Sequence, residues 1–362
     1  MKLTEPTLLL DEEKARNNIA MMADKARNLS VELHPHFKTH QSQAVGGWFA
    51  EEGIKAITVS SLRMASYFAD DGWEEITVAF PVNVLRKDII KDLSKRIRLN
   101  LFINNLESAQ YLENHLKRPV GVFTEIDTGY HRSGIPYKAD EEISRLLSFF
   151  KDSEHLQFQG VYAHAGHSYH VQGKEAVSKI HWETADRLNE VRKKFEADFG
   201  PIKVSLGDTP SCSLADDFSD VDIIRPGNYV FYDLVQAQIG SCTTEDIAVC
   251  MASPIVEKHA ERGEVIVHGG AVHFSKDTLA EGDQKIYGKV VPLHNEGWGA
   301  PLAGCYVKSL SQEHGVVKLS EEVMKQIKVG DWIGILPVHS CLTADLMRSY
   351  CTLNGQVLRC MP

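Results

Sequence analysis

The chain has 362 residues, of which 43% are hydrophobic and 24% charged, and its formal net charge is -10. This composition is typical of a globular protein, and the acidic balance argues against a nucleic-acid partner, because neutralising phosphates requires a basic face. No apolar run approaches the roughly 20 residues that cross a bilayer, and the first residues lack the apolar core of a signal peptide. We therefore expect neither a membrane partner nor secretion.

The seven cysteines are scattered along the chain and include no Cys-x-x-Cys pair. An odd number of widely spaced cysteines is typical of reduced thiols in an intracellular protein. We therefore expect a cytoplasmic protein in which most cysteines pack as small core residues.

Strand-like runs rich in Val, Ile, Leu and Phe alternate with helical patterns from residue 10 to residue 235. The runs end near Phe37, Ser60, Phe80, Ile103, Asp127, His164, Leu206 and Phe231. Short apolar runs of this kind are typical of parallel strands that are buried on both faces. The intervening segments repeat apolar residues at spacings of three and four, and Asn105 is the expected N-cap of one of them. The pattern predicts an α/β fold of the (β/α)8 (TIM) barrel type, with a doubly wound open sheet as the alternative.

After residue 235 the pattern changes to strand-like segments separated by turns, with little helix between them. We therefore predict two domains. The barrel spans residues 10–235, and a C-terminal antiparallel β domain spans residues 236–362 and includes residues 1–9.

Lys38 follows the first strand-like run, within the stretch HPHFKTH at residues 34–40. A lysine that loses its charge by desolvation at a strand end is a nucleophilic amine, able to form a Schiff base with pyridoxal 5'-phosphate (PLP). A solvated lysine beside incidental histidines is the alternative.

Further polar motifs directly follow or interrupt the predicted strands, at the barrel end where chemistry is placed. They are DTGYHRSG at 127–134, HAGHSY at 164–169, GDTPS at 207–211 and RPGNY at 225–229. Because Gly, Asp, Ser and Thr are also ordinary turn residues, turn geometry is the alternative.

The last two of these motifs suit a phosphate group. Glycine lets backbone N–H groups approach an anion closely, and Thr209 and Asn228 carry side-chain donors. Phosphate sites after the seventh and eighth strands recur in barrels. We expect Asp208 to point away from the phosphate, and for Gly207 and Gly227 a turn role is the alternative.

His339 and Cys341 lie two residues apart after a strand-like run, so on a strand both side chains would point to one face. Imidazole and thiolate together suit Zn2+, and two protein ligands leave positions for water and substrate. From the spacing alone, a buried cysteine beside a turn histidine is the alternative.

Together these motifs resemble the fold-type III PLP enzymes, the alanine-racemase-like barrels, and more closely the group of D-threonine aldolases and D-serine dehydratases. The matching stretches occur in order along nearly the whole chain. They are PHFKTH (35–40), IDTG (126–129) with RSG (132–134), HAG (164–166), TPS (209–211), RPGNY (225–229) and HSC (339–341).

The resemblance implies a PLP site in which Lys38 is the Schiff-base lysine, and it implies a homodimer. The other cofactor residues that it implies are Arg132 near the phenolic oxygen, His164 against the ring, Arg225 or a neighbouring group facing the pyridine nitrogen, and Gly207, Thr209, Gly227 and Asn228 at the phosphate. An arginine at the nitrogen would leave the pyridine unprotonated and weaken it as an electron sink, so catalysis would need help elsewhere.

Within the same group, the metal pair is His-x-Asp in the aldolases and His-x-Cys in the dehydratases. His339 and Cys341 therefore imply a divalent metal, expected to be Zn2+, and elimination of water from a D-configured β-hydroxy amino acid such as D-serine or D-3-hydroxyaspartate. The expected products are a keto acid and ammonia. Lys38 would remove the α-proton, and Tyr169 resembles a tyrosine that orients the substrate.

Four alternatives remain open, one of which is a metal hydrolase that uses the histidines without PLP. Retro-aldol cleavage to glycine and an aldehyde uses the same cofactors, with His167 or a metal-bound hydroxide as the base. Racemisation needs a second base, usually a tyrosine of the β domain, and the corresponding stretch HGGAVH (268–273) contains none. A non-catalytic PLP-binding protein would share only the barrel.

Overall fold

The computed structural model describes residues 3–362, and the chain forms two compact units. The barrel unit comprises Met21–Lys38 and Gly46–Gly227, and the β-rich unit comprises residues 3–20, Thr39–Val45 and Asn228–Pro362. In the part of the chain that the structure describes, no helix has both the length and the apolar character needed to cross a membrane.

Parallel strands form the core of the barrel unit. Within residues 3–362 these eight strands are, in chain order, Glu32–Leu33, Ala56–Val59, Glu75–Pro81, Arg98–Phe102, Val120–Asp127, Leu156–Ala163, Lys203–Leu206 and Ile223–Ile224. Each strand from the second to the seventh pairs with the next along the chain, and the eighth also pairs with the first. A parallel bridge between His36 and Thr58 joins the first strand region to the second. The predicted (β/α)8 barrel is confirmed.

Helices alternate with the strands of the barrel, and the first helix precedes the first strand. They are Glu12–Asn28, Gln43–Glu51, Leu62–Ala69, Lys87–Arg96, Leu106–Glu113, Asp140–Lys151, Lys174–Phe199 and Thr209–Leu214. Asn105 is the N-cap of Leu106–Glu113, and its side-chain oxygen accepts a hydrogen bond of 2.8 Å from the Ser108 N–H. The predicted cap is therefore confirmed.

The eighth strand is shorter than the apolar run that predicts it. It ends at Ile224, and Asn228–Val230 form a 3-10 helix instead of a strand. Pro226 has no N–H to continue the ladder, although its carbonyl still accepts a hydrogen bond of 2.8 Å from the His36 N–H. This pairing holds the segment before Lys38 beside the RPG turn.

The β-rich unit is built around one largely antiparallel sheet. Its strands, in sheet order, are Glu264–His268, His314–Lys318, Tyr306–Leu310, Gly288–Val291, Trp332–Pro337, Val249–His259, Thr7–Leu10, Ser349–Thr352 and Val357–Arg359. The N-terminal strand Thr7–Leu10 pairs antiparallel with Val249–His259 and parallel with Ser349–Thr352.

Short helices interrupt this unit more often than the sequence predicts. They are Leu234–Ile239, Ala271–Phe274, Glu321–Gln326 and Ser340–Met347. The strand interpretation of His339 and Cys341 is wrong, because the strand ends at Pro337 and Cys341 lies in the first turn of Ser340–Met347. The Asp233 carboxylate starts this helix by accepting hydrogen bonds from the Ser340 N–H (3.0 Å) and hydroxyl (3.3 Å).

Candidate active site

Lys38 lies just past the first barrel strand, on the rim at the carboxyl ends of the strands. The preceding residues are fixed by backbone hydrogen bonds, including Phe37 N–H to Thr58 O at 2.8 Å. His36 and Phe37 are buried, whereas the Lys38 side chain is exposed. The expected desolvation of this amine by the protein is therefore wrong, since the chain presents it to a space open to solvent.

Two histidines near Lys38 are neutral at physiological pH. Burial, with the added repulsion of the Lys38 charge, lowers the pKa of His36 well below its usual value and that of His164 to about 3. The His36 Nδ1 accepts a hydrogen bond of 3.3 Å from the Lys38 N–H, and the His164 Nδ1 hydrogen-bonds the Gly207 carbonyl. A neutral imidazole beside the amine adds no further positive charge to this rim.

Arg225 is buried in the barrel unit. Its Nε donates to the Ser205 hydroxyl at 2.8 Å and its Nη1 to the Thr58 hydroxyl at 3.0 Å, while the guanidinium lies 4.9 Å from the centre of the Phe123 ring. Burial lowers its pKa to about 10, so the side chain stays charged at neutral pH. Among residues 3–362, its Nη2 has no hydrogen-bond partner, which leaves the two N–H groups of this nitrogen for an acceptor atom.

The Tyr130 ring brings several of the predicted site residues together. Arg132 lies over this ring at 5.5 Å, and the rings of His164 and His167 have centroids 5.9 and 6.2 Å from it. The centroid of the Tyr169 ring is 6.2 Å from that of His164. Burial lowers the pKa of His167, so this imidazole is a neutral proton acceptor.

The loop after the seventh strand forms a tight backbone turn. A Cβ on Gly207 would come within 2.7 Å of the Tyr162 hydroxyl, so only glycine fits there without displacement. The Thr209 N–H donates to the Tyr169 hydroxyl at 3.3 Å. The Asp208 carboxylate accepts hydrogen bonds of 2.8 Å each from the Ser168 hydroxyl and the Ser211 N–H, and its orientation relative to a phosphate stays a prediction.

In the β-rich unit, His339 and Cys341 contact each other although they do not share a strand. The Nδ1 of His339 lies 2.7 Å from the Asp277 carboxylate, so Nε2 is the ring nitrogen that could bind a metal. Burial lowers the pKa of His339, but hydrogen bonds with Asp277 and Cys341 outweigh it and raise this pKa to about 11. A cation bound at this pair would therefore displace a proton.

Two further side chains of this unit surround the Cys341 sulfur. The Thr39 Oγ1 lies 3.2 Å from it, and the Asn228 side-chain N–H donates to it at 3.4 Å. The same amide donates to Asp233 at 2.7 Å and to Ser340 at 3.1 Å. The structure thus places the Asn228 side chain against Cys341. The predicted phosphate contact through this side chain is therefore not supported, and only a contact through the backbone N–H stays a prediction.

These donors fit the two groups that the sequence implies. The unpartnered Nη2 of Arg225 suits the lone pair of an unprotonated pyridine nitrogen. Gly207 is required by its close contact with the Tyr162 hydroxyl, and its phosphate contact stays a prediction. An imidazole whose other nitrogen is held by a carboxylate, beside a sulfur ligand, suits Zn2+.

Three residues of the site were not found by sequence reasoning. Glu125 is 4% exposed and lies 3.6 Å from Arg132, Tyr130 packs the rim histidines, and Asp277 orients His339 from 62 positions away. Glu125 carried a usable signal, because it is a charge within the apolar run GVFTEI. Asp277 carried none, since nothing local links it to His339.

Both parts of the chain match known families. The family described as "Alanine racemase, N-terminal domain" matches residues 10–234. The family described as "Putative serine dehydratase domain" matches residues 248–353.

Relatives and solved structures align along almost the full chain. D-serine dehydratase from Dictyostelium discoideum is 30% identical over 98% of this chain and 94% of its own length. D-threo-3-hydroxyaspartate dehydratase from Delftia sp. strain HT23 is 28% identical over 97% of this chain and 94% of its own length. A solved structure of a cysteine-to-alanine mutant of D-threo-3-hydroxyaspartate dehydratase, described as in the metal-free form, has a TM-score of 0.93 at 27% identity and covers 99% of this chain and 98% of that chain.

Proposed function

Since the chain belongs to the alanine-racemase-like, fold-type III family of PLP-dependent enzymes, in its group of dehydratase lyases, we propose that it removes water from D-configured β-hydroxy amino acids with the help of a divalent metal. The observation that carries the proposal is the His339–Cys341 pair, held by Asp277 at 2.7 Å and surrounded by donors to its sulfur. The relatives with full-length similarity are named for dehydration of D-serine and D-threo-3-hydroxyaspartate.

We propose that the barrel rim holds PLP. Lys38 would hold its aldehyde carbon, His164 would lie against the ring, and Arg132 and Arg225 would face the phenolic oxygen and the pyridine nitrogen. The residues proposed for the phosphate are Gly207, Thr209, Gly227 and Asn228. When bound, PLP supplies the electron sink that makes the α-proton of an amino acid removable.

In this mechanism, Lys38 moves the first proton. With the substrate bound, the Lys38 Nζ would take the α-proton, and a positioned base contributes about 100-fold to 10,000-fold to the rate of such a step. Tyr169, anchored through its hydroxyl to the Thr209 N–H, orients the substrate. His167, whose lowered pKa keeps it neutral, accepts the β-hydroxyl proton in the alternative aldol cleavage.

His339 Nε2 and Cys341 Sγ are the proposed metal ligands, and the expected metal is Zn2+. A metal there would act as a Lewis acid on the substrate hydroxyl and make it a better leaving group. It would thereby compensate for an unprotonated pyridine ring, which is a weak electron sink. We further propose that the protein is a cytoplasmic homodimer that acts on a small D-amino acid and has no nucleic-acid or membrane partner. The scattered cysteines support the cytoplasmic location, and the family supports the homodimer.

Product analysis tests this function. The PLP-loaded enzyme with Zn2+ is given D-serine, D-threonine and D-threo-3-hydroxyaspartate, with L-serine as the control substrate. We expect a keto acid and ammonia, loss of this activity on chelation, and loss of both activity and the visible absorption band in Lys38→Ala.

Other products would identify the alternatives. Glycine with an aldehyde would assign an aldolase, and a racemised amino acid a racemase. A visible absorption band without turnover of any substrate would assign a non-catalytic PLP-binding protein. Each of these outcomes contradicts the proposed dehydratase.

A further inference from the structure

A second group of metal-ligating side chains lies in the β-rich unit and shares no residue with His339 and Cys341. It consists of His268, His273 and Glu313, which we call the second histidine cluster. One ligand atom from each lies within 4.8 Å of the others. The Glu313 Oε2 is 3.6 Å from the His268 Nε2 and 3.9 Å from the His273 Nε2.

These separations are close to those of ligands on one metal ion. Two ligands at 2.0–2.1 Å from a tetrahedral Zn2+ are roughly 3.3 Å apart. The two pairs with Glu313 therefore need to contract by about 0.3 and 0.6 Å, and the ligand atoms of the two histidines, which lie within 4.8 Å of each other, would also move closer. Two imidazoles and one carboxylate also form a donor set that Zn2+ uses in open sites.

His268 is oriented as a metal ligand. Its Nδ1 lies 3.4 Å from the Glu5 carboxylate, an acceptor that favours the proton on this nitrogen. A cation bound at Nε2, on the Glu313 side, would leave the ring proton on Nδ1 beside Glu5. A carboxylate behind a ligating histidine is the usual way in which proteins fix the tautomer and raise the basicity of the ligand.

His273 would have to change its tautomer to bind a metal. Its Nδ1 accepts a hydrogen bond of 3.1 Å from the Gly270 N–H, which places the proton of the neutral ring on Nε2, toward Glu313. Binding through Nε2 would move the proton to Nδ1 and give up this single hydrogen bond. The ring would gain a metal ligand bond in return.

The backbone already holds the two halves of the cluster together. Gly269 N–H donates to the Glu313 carbonyl at 2.9 Å, Ala271 N–H to the Ser311 carbonyl at 2.8 Å, and Val272 N–H to the Gln312 carbonyl at 3.2 Å. The end of strand Glu264–His268 and the helix Ala271–Phe274 are thereby docked on the loop that carries Glu313. Binding of a cation would therefore require little rearrangement of the backbone.

We propose that the second histidine cluster binds a divalent transition metal of the Zn2+ type, separately from the His339–Cys341 pair. The ion would clamp the strand end, the short helix and the Glu313 loop. The clamped segment continues along the chain to Asp277, the residue that orients His339.

Metal counting in a double variant tests this proposal. In His339→Gln/Cys341→Ser, which lacks the other pair, the PLP-loaded protein is dialysed to equilibrium against Zn2+ and analysed for metal. We expect about one Zn2+ per chain, lost when His268→Gln is added, and no uptake of Mg2+, which prefers oxygen ligands. Circular dichroism verifies that each variant is folded.

His259→Gln is the matched control. This histidine belongs to the same unit and lies 3.2 Å from Glu257 and 3.6 Å from Glu261, but the second histidine cluster does not include it. Added to the double variant, it should leave the Zn2+ content unchanged. A folded double variant that binds no Zn2+, or one that binds it equally after His268→Gln and Glu313→Gln, would overturn the proposal without affecting the proposed dehydratase.

Discussion

Glu125 brings a negative charge into the interior of the barrel unit beside a proposed cofactor residue. Its side chain is 6% exposed and lies 3.6 Å from the guanidinium of Arg132, whose side chain is half-exposed. The Asn104 amide also donates to it at 3.4 Å. A buried charge is costly unless it is paired, so we infer that Glu125 is a positioning residue that holds Arg132 in one orientation.

Glu125→Gln tests this role with almost no change of side-chain shape. We expect about a tenfold loss of kcat, equivalent to about 1.4 kcal/mol of activation free energy, and an altered pH dependence of the PLP absorption band. Glu75→Gln is the matched control, since Glu75 also pairs with an arginine, Arg98, at 3.1 Å, but begins its strand at the opposite end of the barrel. Equal kinetics and spectra in both variants would leave Glu125 a purely structural residue.

At the residue scale, the sequence predicts those site residues that differ clearly from their immediate neighbours. Lys38 stands among histidines, and Arg225 breaks an apolar run with RPG. The contacts of Asn228 with Cys341 and of Asp277 with His339 span 113 and 62 positions. Such contacts depend on tertiary packing, which cannot be read from the periodicity of the sequence.

At the scale of elements, the turn after the seventh strand is the most constrained part of the proposed phosphate site. An added Cβ at Gly207 would stand 2.7 Å from the Tyr162 hydroxyl and 3.2 Å from the Arg225 Cβ. Tyr162 and Arg225 are both buried, so neither can swing away into solvent. The close approach of these elements therefore depends on glycine.

For Gly207→Ala we expect overpacking that lowers the free energy of unfolding by about 1–3 kcal/mol, together with weaker binding of PLP. Gly47→Ala is the matched control, because an added Cβ at Gly47 meets no atom within 4 Å and the residue lies in the helix Gln43–Glu51. The control should gain about 0.5–1 kcal/mol. Thermal unfolding and PLP titration measure both effects, and a Gly207→Ala variant that matches the wild type in both would contradict the argument.

Elements were predictable where a pattern repeats and less so where a single side chain starts or ends them. The eight barrel strands of residues 3–362 all lie within the predicted apolar runs. The helix Ser340–Met347 was missed because its start depends on Asp233, a carboxylate 107 positions away. For the same reason the sequence could propose the His339–Cys341 pair but not the geometry that joins it.

At the scale of the whole molecule, burial keeps several histidines neutral. The pKa is lowered in His34, His36, His40, His164 and His181, and in each case burial is the largest cause. A histidine with a lowered folded-state pKa binds fewer protons than it does in the unfolded chain. Its contribution to stability is therefore present above the unfolded pKa and is lost as pH falls toward the folded pKa.

His40 isolates this effect, because it is fully buried and has no proposed role in catalysis. Burial lowers its pKa to about 3, and its Nδ1 accepts a hydrogen bond of 3.1 Å from the Ser42 N–H. The relevant pH window thus runs from the ordinary value of 6.5 down to about 3. His40→Asn keeps an acceptor near the Nδ1 position and removes the titration.

Denaturant unfolding at pH 7.5 and pH 5.0 measures the difference. We expect the wild type to lose stability on acidification, and His40→Asn to lose less by up to about 2 kcal/mol, even if its stability at pH 7.5 is lower because of the smaller side chain. His294→Asn, at an exposed histidine of the same unit, should follow the wild type. An acid-induced loss of equal size in the wild type and in His40→Asn would mean that His40 takes up no proton on unfolding, and the acid sensitivity would then have to arise from the other buried histidines.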